Sequence, residues 1–275
     1  MVAYQRGDYG TALNFLRPLA EQGNPQAQYT LGYLYVEGAG VPKDDGEAAK
    51  WYWKAAEQGD ADAQNELGVM YAAGRCVSQD DAKAVKWFRK AAEQGHAEAQ
   101  YNLGQMNREG RGVPQDDAEA VKWYCKAADQ GDADAQINLG GMYANGDGVL
   151  QDYAEAVKWW RRAAELGNAE AQFILGFKYD NGRGVPQNGA EAAKWYRKAA
   201  EQGHGKAQVF LGAMYAMGRG VPEDFVQAHT WSNRAAAQGD EKAQELLDAI
   251  ASLMTPNQIA EAQRLAREWM AKHQQ

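Results

Sequence analysis

The chain is short of the residues that build most enzyme sites. It has two cysteines, Cys76 and Cys125, too few for a disulfide framework. The repeat register set out below puts Cys76 in a loop and Cys125 well along a helix of the next repeat, so two free thiols are expected. Serine occurs only at Ser78, Ser232 and Ser252. None of these stands in Ser-x-x-Lys or Gly-x-Ser-x-Gly, the settings that activate a serine nucleophile. The histidines His96, His204, His229 and His273 form no His-x-x-x-His pair, and no Cys-x-x-Cys occurs, so neither a metal site nor a bound cofactor is expected. Excess positive charge is missing as well: 29 Lys and Arg stand against 37 Asp and Glu, a net charge of −8. Nucleic acid and anionic lipid are held by clustered cations, so neither is expected as the main partner. No run approaches the ~18 apolar residues of a membrane span, and the mean hydropathy is −0.66, so no membrane insertion is expected. The opening MVAYQRGDYG has no basic stretch followed by an apolar run, and no export signal is read in it.

What the chain has in abundance is repetition. The motif Ala-Gln-x-x-Leu-Gly begins at Ala27, Ala63, Ala99, Ala135, Ala171 and Ala207, each step being 36 residues. A degenerate copy at Ala243-Gln244 keeps Leu247 but has Asp248 in place of glycine. Asn24 to Gly239 therefore holds six 36-residue units with no insertion.

Each unit reads as two short helices. Helix A follows Asn24, Asp60, His96, Asp132, Asn168, His204 or Asp240; Asp and Asn accept hydrogen bonds from the free N–H groups of a first turn, and the two histidines read as structural caps. Helix A ends at Gly38, Gly74, Gly110, Gly146, Gly182 or Gly218, glycines suited to the left-handed residue after a helix. A loop follows, in its fullest form Gly110-Arg111-Gly112-Val113-Pro114. Its proline prevents helix A from continuing. Its Gly-x-Gly is no phosphate cradle, because the helix beyond opens on an acid that would repel an anion. Helix B starts at Asp44, Asp80, Asp116, Asp152, Asn188 or Asp224, and Glu or Gln stands three residues on in every repeat but the one with Lys83. That spacing resembles a capping box. Along helix B, Ala48, Trp51 and Ala55 recur as Ala120, Trp123 and Ala127, marking one buried stripe with tryptophan in the core.

These residues, A-x-A-Q-x-x-L-G-x-x-Y…G-x-G-V-P-x-D…A-x-x-W-Y-x-x-A-A-x-x-G, resemble the Sel1-like repeat, a relative of the tetratricopeptide repeat, over residues 24–254. The fold expected is an all-α, right-handed α-solenoid of six 36-residue helix–turn–helix repeats, with an N-terminal half repeat and a C-terminal capping helix, helix A lining the concave wall. The expected organisation is an N-terminal partial tetratricopeptide-like repeat over 1–23, six repeats over 24–239, and over 240–275 a degenerate seventh helix with its cap. The partial repeat, from Tyr4 to Glu21, lacks most of its own helix A and suggests a trimmed N-terminus. In the cap, Thr255, Pro256 and Gln258 open a helix that presents Ile259, Ala262, Leu265, Ala266, Trp269 and Met270 on one face.

The resemblance implies a protein-binding scaffold or adaptor of bacterial type, not an enzyme. It implies a periplasmic or secreted setting over a cytoplasmic one, although no signal in the chain decides this. The alternative function is a hydrolase or β-lactam-binding protein like cysteine-rich relatives; those carry paired cysteines in every repeat, and this sequence does not. A monomer is expected, with a protein or peptide partner in the concave groove.

Basic residues gather late in helix B, as in Lys86, Arg89 and Lys90 or Lys194, Arg197 and Lys198. They read as a solvated convex face that complements the helix dipole. The candidate partner surface lies on helix A, at variable positions around the repeated leucine. The first three repeats offer Tyr29, Tyr33, Asn65, Val69, Tyr101, Gln105 and Arg108. The next three offer Ile137, Asn145, Phe173, Phe177, Asn181, Val209 and Met217. Aromatic and aliphatic groups among Asn, Gln and Arg are the mixture that protein-binding surfaces use. Phe173 and Phe177 stand out, because other repeats hold Asn65, Gln105 or Gly141 at those places.

Overall fold

The side chains set to stop and start each helix do so directly. Asn24, Asp60 and Asn168 accept from the amides of Ala27, Ala63 and Ala171 at 2.9, 2.9 and 3.0 Å. His96 and His204 take the same role with Nδ1, each accepting at 3.1 Å. Their Nε2 atoms reach back to Asp62 and Glu170 at 3.1 and 2.9 Å. Because Nδ1 accepts, the ring proton sits on Nε2, and the cap also ties its helix to the repeat before. Helix B opens in the same way on Asp44, Asp80, Asp116, Asn188 and Asp224. Gly38, Gly74, Gly110, Gly182 and Gly218 close helix A in the left-handed conformation, at φ between 61° and 68°. Cys76 takes that conformation too (φ 57°) where other loops have glycine. It is exposed, and no disulfide joins it to Cys125.

The computed structural model describes residues 8–273, and the regular structure among them is fifteen α-helices with no strand. The expected all-α repeat fold of the solenoid class is what the chain adopts. The helices gather into two compact units, the described residues up to Ala135 with Asp147–Val149, and Gln136–Gly146 with the described residues from Leu150 onward. The first unit contains α1 (Tyr9–Glu21), α2 (Pro25–Glu37), α3 (Asp45–Glu57), α4 (Ala61–Ala73), α5 (Asp81–Glu93), α6 (Ala97–Glu109) and α7 (Asp117–Asp129). α8 (Ala133–Asn145) leads into the second, which continues with α9 (Tyr153–Glu165), α10 (Ala169–Asn181), α11 (Gly189–Glu201) and α12 (Gly205–Met217). It finishes with α13 (Phe225–Ala236), α14 (Glu241–Ala251) and α15 (Pro256–His273). Tyr4, the start of the expected partial repeat, falls outside the described residues, as does the side chain of Met270.

Two devices hold A and B helices together, and both explain letters of the repeated motif. In the first five repeats the glycine after the leucine lies under an aromatic ring of helix B, the residue after the tryptophan; in the sixth, Gly212 faces Ser232. A Cβ on Gly32, Gly104 or Gly176 would come within 2.7–2.8 Å of Tyr52, Tyr124 or Tyr196, and on Gly68 within 2.5 Å of Phe88. Only glycine permits that approach. The glutamine is buried and ties helix A to the helix B before it: the Nε2 groups of Gln64, Gln172 and Gln208 donate to the carbonyls of Ala56, Ala164 and Ala200 at 3.0–3.1 Å. Where a glutamine also ends helix B of the same repeat, the Oε1 accepts from it, as Gln94 donates to Gln64 and Gln202 to Gln172, both at 2.8 Å; Leu166 takes that place in the fourth repeat. A buried amide satisfied on both sides offsets its desolvation cost with hydrogen bonds and adds order.

The tryptophans at 87, 123, 159, 195 and 231 are buried, as their phase requires. The cation three residues on lies over each ring, from Lys54 on Trp51 at 3.9 Å to Lys198 on Trp195 and Arg162 on Trp159 at 4.4 Å. The late basic residues of helix B are thus partly a lid on the core. At the C-terminal end, Thr255 and Gln258 form the expected reciprocal capping box. α15 buries Ala262 and Ala266, and Thr230 of α13 donates to the Ala262 carbonyl.

Candidate partner-binding site

The candidate residues fall into columns set by their distance from the repeated leucine. Two before it, the side chain leans on the helix B aromatic of its own repeat. Tyr29 lies 5.6 Å from Tyr52, Tyr101 5.8 Å from Tyr124 and Phe173 5.8 Å from Tyr196, centroid to centroid. Ile137 and Val209 are half-buried in the same column, and the Ile137 carbonyl accepts from the Trp160 indole at 3.1 Å. Asn65 is buried, its Oδ1 accepting from Asn102 at 3.1 Å. This column is therefore part wall and part surface.

Two after the leucine, the residues stand further out. Tyr33 is 38% exposed and Phe177 39% exposed, while Val69 and Gln105 are half-buried. At the end of helix A, Asn145, Asn181 and Met217 are exposed, Met217 to 59%. Arg108 is half-buried beside the Tyr124 hydroxyl.

In the second unit these columns converge on one aromatic cluster. Phe173 lies 6.5 Å from Phe177 and 5.7 Å from Phe210, and Phe177 lies 6.1 Å from Phe210. The Phe173 ring also stacks on the His204 imidazole at 4.8 Å. Phe210, one residue before its leucine, was not among the positions expected to face a partner. The signal was present: it is the only aromatic in a column otherwise filled by Thr30, Glu66, Asn102, Asn138 and Ile174.

Loop arginines also join repeats. Arg111 donates to Asp81 at 2.8 Å and to the Ala72 carbonyl at 3.3 Å, and Arg219 pairs with the buried carboxylate of Asp180. Among the described residues no three His, Cys, Asp or Glu side chains come together as metal ligands would. No described helix is long and apolar enough to cross a membrane.

The family model of the Sel1 repeat matches residues 25–60, 61–96, 97–132, 133–168, 169–204 and 205–240 in succession. The chain belongs to the Sel1 repeat family. Two solved Sel1-type structures are similar along most of its length. One is c5321, a protective antigen present in uropathogenic Escherichia coli strains, with 42% identity and a TM-score of 0.86 over 93% of this chain and 56% of that one. The other is a Sel1 repeat protein from Oxalobacter formigenes, with 38% identity and a TM-score of 0.75 over 85% of this chain and 93% of that one. The chain thus spans little more than half the length of the Escherichia coli antigen. No curated protein matches it. Sel1 repeat proteins are generally protein-interaction scaffolds and typically non-catalytic, which turns attention to the surface that helix A presents.

Proposed function

We propose that this Sel1 repeat protein holds a partner protein or peptide on its helix A surfaces, with the Phe173, Phe177 and Phe210 cluster as an apolar anchor point. The observation that carries this reading is the cluster itself: three phenylalanines within 6.5 Å of one another, with Phe177 39% exposed. The repeat does not require them, because equivalent places hold Asn65, Gln105 and Asn102 in another part of the chain. Partly exposed aromatic groups beside polar neighbours such as Asn181 are the usual makings of a binding hot spot.

The test is site-specific photocrosslinking. A photoreactive phenylalanine at position 177 should capture a defined protein in the source cells, and one at the exposed Lys194 on α11 should not. Phe177→Ser should then weaken binding of the captured protein by on the order of 2 kcal/mol. Equal capture at both positions, or undiminished binding by Phe177→Ser, would overturn the reading.

A further inference from the structure

Charge sets the helix A surface of the first unit apart. Glu66 stands one residue before Leu67, in the column that holds Thr30, Asn102, Asn138, Ile174 and Phe210 elsewhere, so the repeat asks for no carboxylate there. It lies in the middle of α4, beyond the first turn where the helix dipole would favour an acid. Its side chain is half-buried and makes no hydrogen bond or ion pair among the described residues. Burial pushes its carboxyl above the ordinary range, and Glu98 and Asp62 push the same way; Arg75 and His96 oppose them. His96 is already engaged by Asp62. An ionised group placed at a cost to stability is the mark of a functional surface rather than of the scaffold.

The neighbours of Glu66 suit one kind of ligand. Tyr29, Tyr33 and Glu66 hold the places that the clustered Phe173, Phe177 and Phe210 hold four repeats on, and Tyr33 is 38% exposed. Burial, then Asp62 and Glu66, push the Tyr29 hydroxyl up to about 12. α2, α4 and α6 together carry Glu37, Asp62, Glu66, Glu98 and Glu109 against the single cation Arg108. In the second unit, by contrast, α10 and α12 balance Glu170 and Asp180 with Lys178 and Lys206. We propose that the Tyr29, Tyr33, Glu66 and Glu98 surface takes a basic segment of the partner protein, a Lys or Arg head meeting Glu66 and its aliphatic stem lying on the tyrosine rings. Aromatic faces attract cations and cover their stems, and a half-buried carboxylate makes a strong charge-assisted hydrogen bond. The inference rests on the helix A reading above and names the chemistry of what the first unit holds.

The experiment is selection of a displayed random peptide library on the full chain, followed by titration of an enriched, fluorescently labelled peptide. Enriched peptides should carry Lys or Arg beside aliphatic or aromatic residues, and their binding should weaken as salt is raised. The variant Glu66→Gln, Glu98→Gln should weaken that binding by on the order of tenfold, whereas Glu201→Gln on α11 should leave it unchanged. Melting curves check that the double variant folds. Enrichment of acidic or uncharged peptides, enrichment of none, or unchanged binding by the double variant would overturn the proposal. Phe177→Ser separates the two readings. If it binds the basic peptide normally and also binds the photocaptured partner normally, the aromatic anchor fails while the basic segment stands.

Discussion

The ring of Tyr196 occupies the space where a side chain on Gly176 would begin: a Cβ built on that glycine would stand 2.7 Å from Cδ1 of the ring. Gly176→Ala should therefore force α10 and α11 apart and destabilise the protein by about 1–3 kcal/mol. Gly141, one position beyond the equivalent glycine of α8, has open space instead, with nothing within 4 Å of the point a Cβ would occupy. Gly141→Ala should be neutral or stabilising by up to about 1 kcal/mol. Denaturant unfolding of both variants checks the contrast.

Asn107 occupies the place taken by Tyr35, Tyr71, Tyr143, Tyr179 and Tyr215 in the other repeats. It is buried and bends back to donate to the Leu103 carbonyl at 2.7 Å. In the second unit the tyrosine hydroxyl at this place accepts from an arginine of the preceding helix B, Arg161 for Tyr179 and Arg197 for Tyr215. Arg89 stands in the matching position for residue 107. Asn107→Tyr should raise the melting temperature, with a gain of about 1–2 kcal/mol from apolar burial and the recovered hydrogen bond. Part of that gain should vanish when Arg89→Ala is added, a double-mutant cycle that isolates the pair.

His229 is buried on α13 where three other repeats place Val85, Val121 and Val157. Its Nδ1 has no hydrogen-bond partner, and burial pushes the imidazole below its ordinary pKa of 6.5. A base whose folded pKa is depressed takes up its proton more readily when unfolded, so stability falls as pH drops through about 6.5. His229→Val should raise the melting temperature at neutral pH and flatten its decline between about pH 7 and pH 5. Parallel curves for the two proteins across that range would show that His229 does not carry the acid sensitivity.

Phe173 and Phe177 divide the work of their cluster. Phe173 is half-buried against Tyr196, Phe210 and His204, so Phe173→Ala should cost about 2–4 kcal/mol of stability. Phe177, more exposed, should cost about 1 kcal/mol or less as Phe177→Ala. Urea titrations of the two single variants test this. Equal losses would place both rings in the core.

The elements were legible because their signals sit in neighbouring residues: caps, left-handed glycines and the Val-Pro stop act within a turn or two. What escaped reading lies between elements. The glycine after the leucine and the aromatic after the tryptophan are both plain in the sequence, yet their contact spans 20 residues, as from Gly176 to Tyr196. The glutamine's two partners, 8 residues before it and 30 after it, are equally remote. The candidate surface was legible as a set of variable columns, but burial within a column depends on the partner each side chain meets across helices. Two before the leucine, Asn65 is buried with Asn102 as its partner, while Tyr29 leans half-buried on Tyr52.

The paired glutamine bonds have an evolutionary consequence. Because these links join the same atoms at the same separation in five of the six repeats, the exception being the one with Leu166, a 36-residue block is close to an interchangeable cassette. Excising residues 61–96 would splice Asp60 onto Ala97, leaving an aspartate ready to cap the next helix and Gln100 aligned with the Ala56 carbonyl that Gln64 now binds. Genes built this way can lengthen or shorten by unequal recombination without a folding intermediate of their own to reinvent. The number of repeats becomes a trait that selection can adjust separately from the variable side chains on the helix A surface.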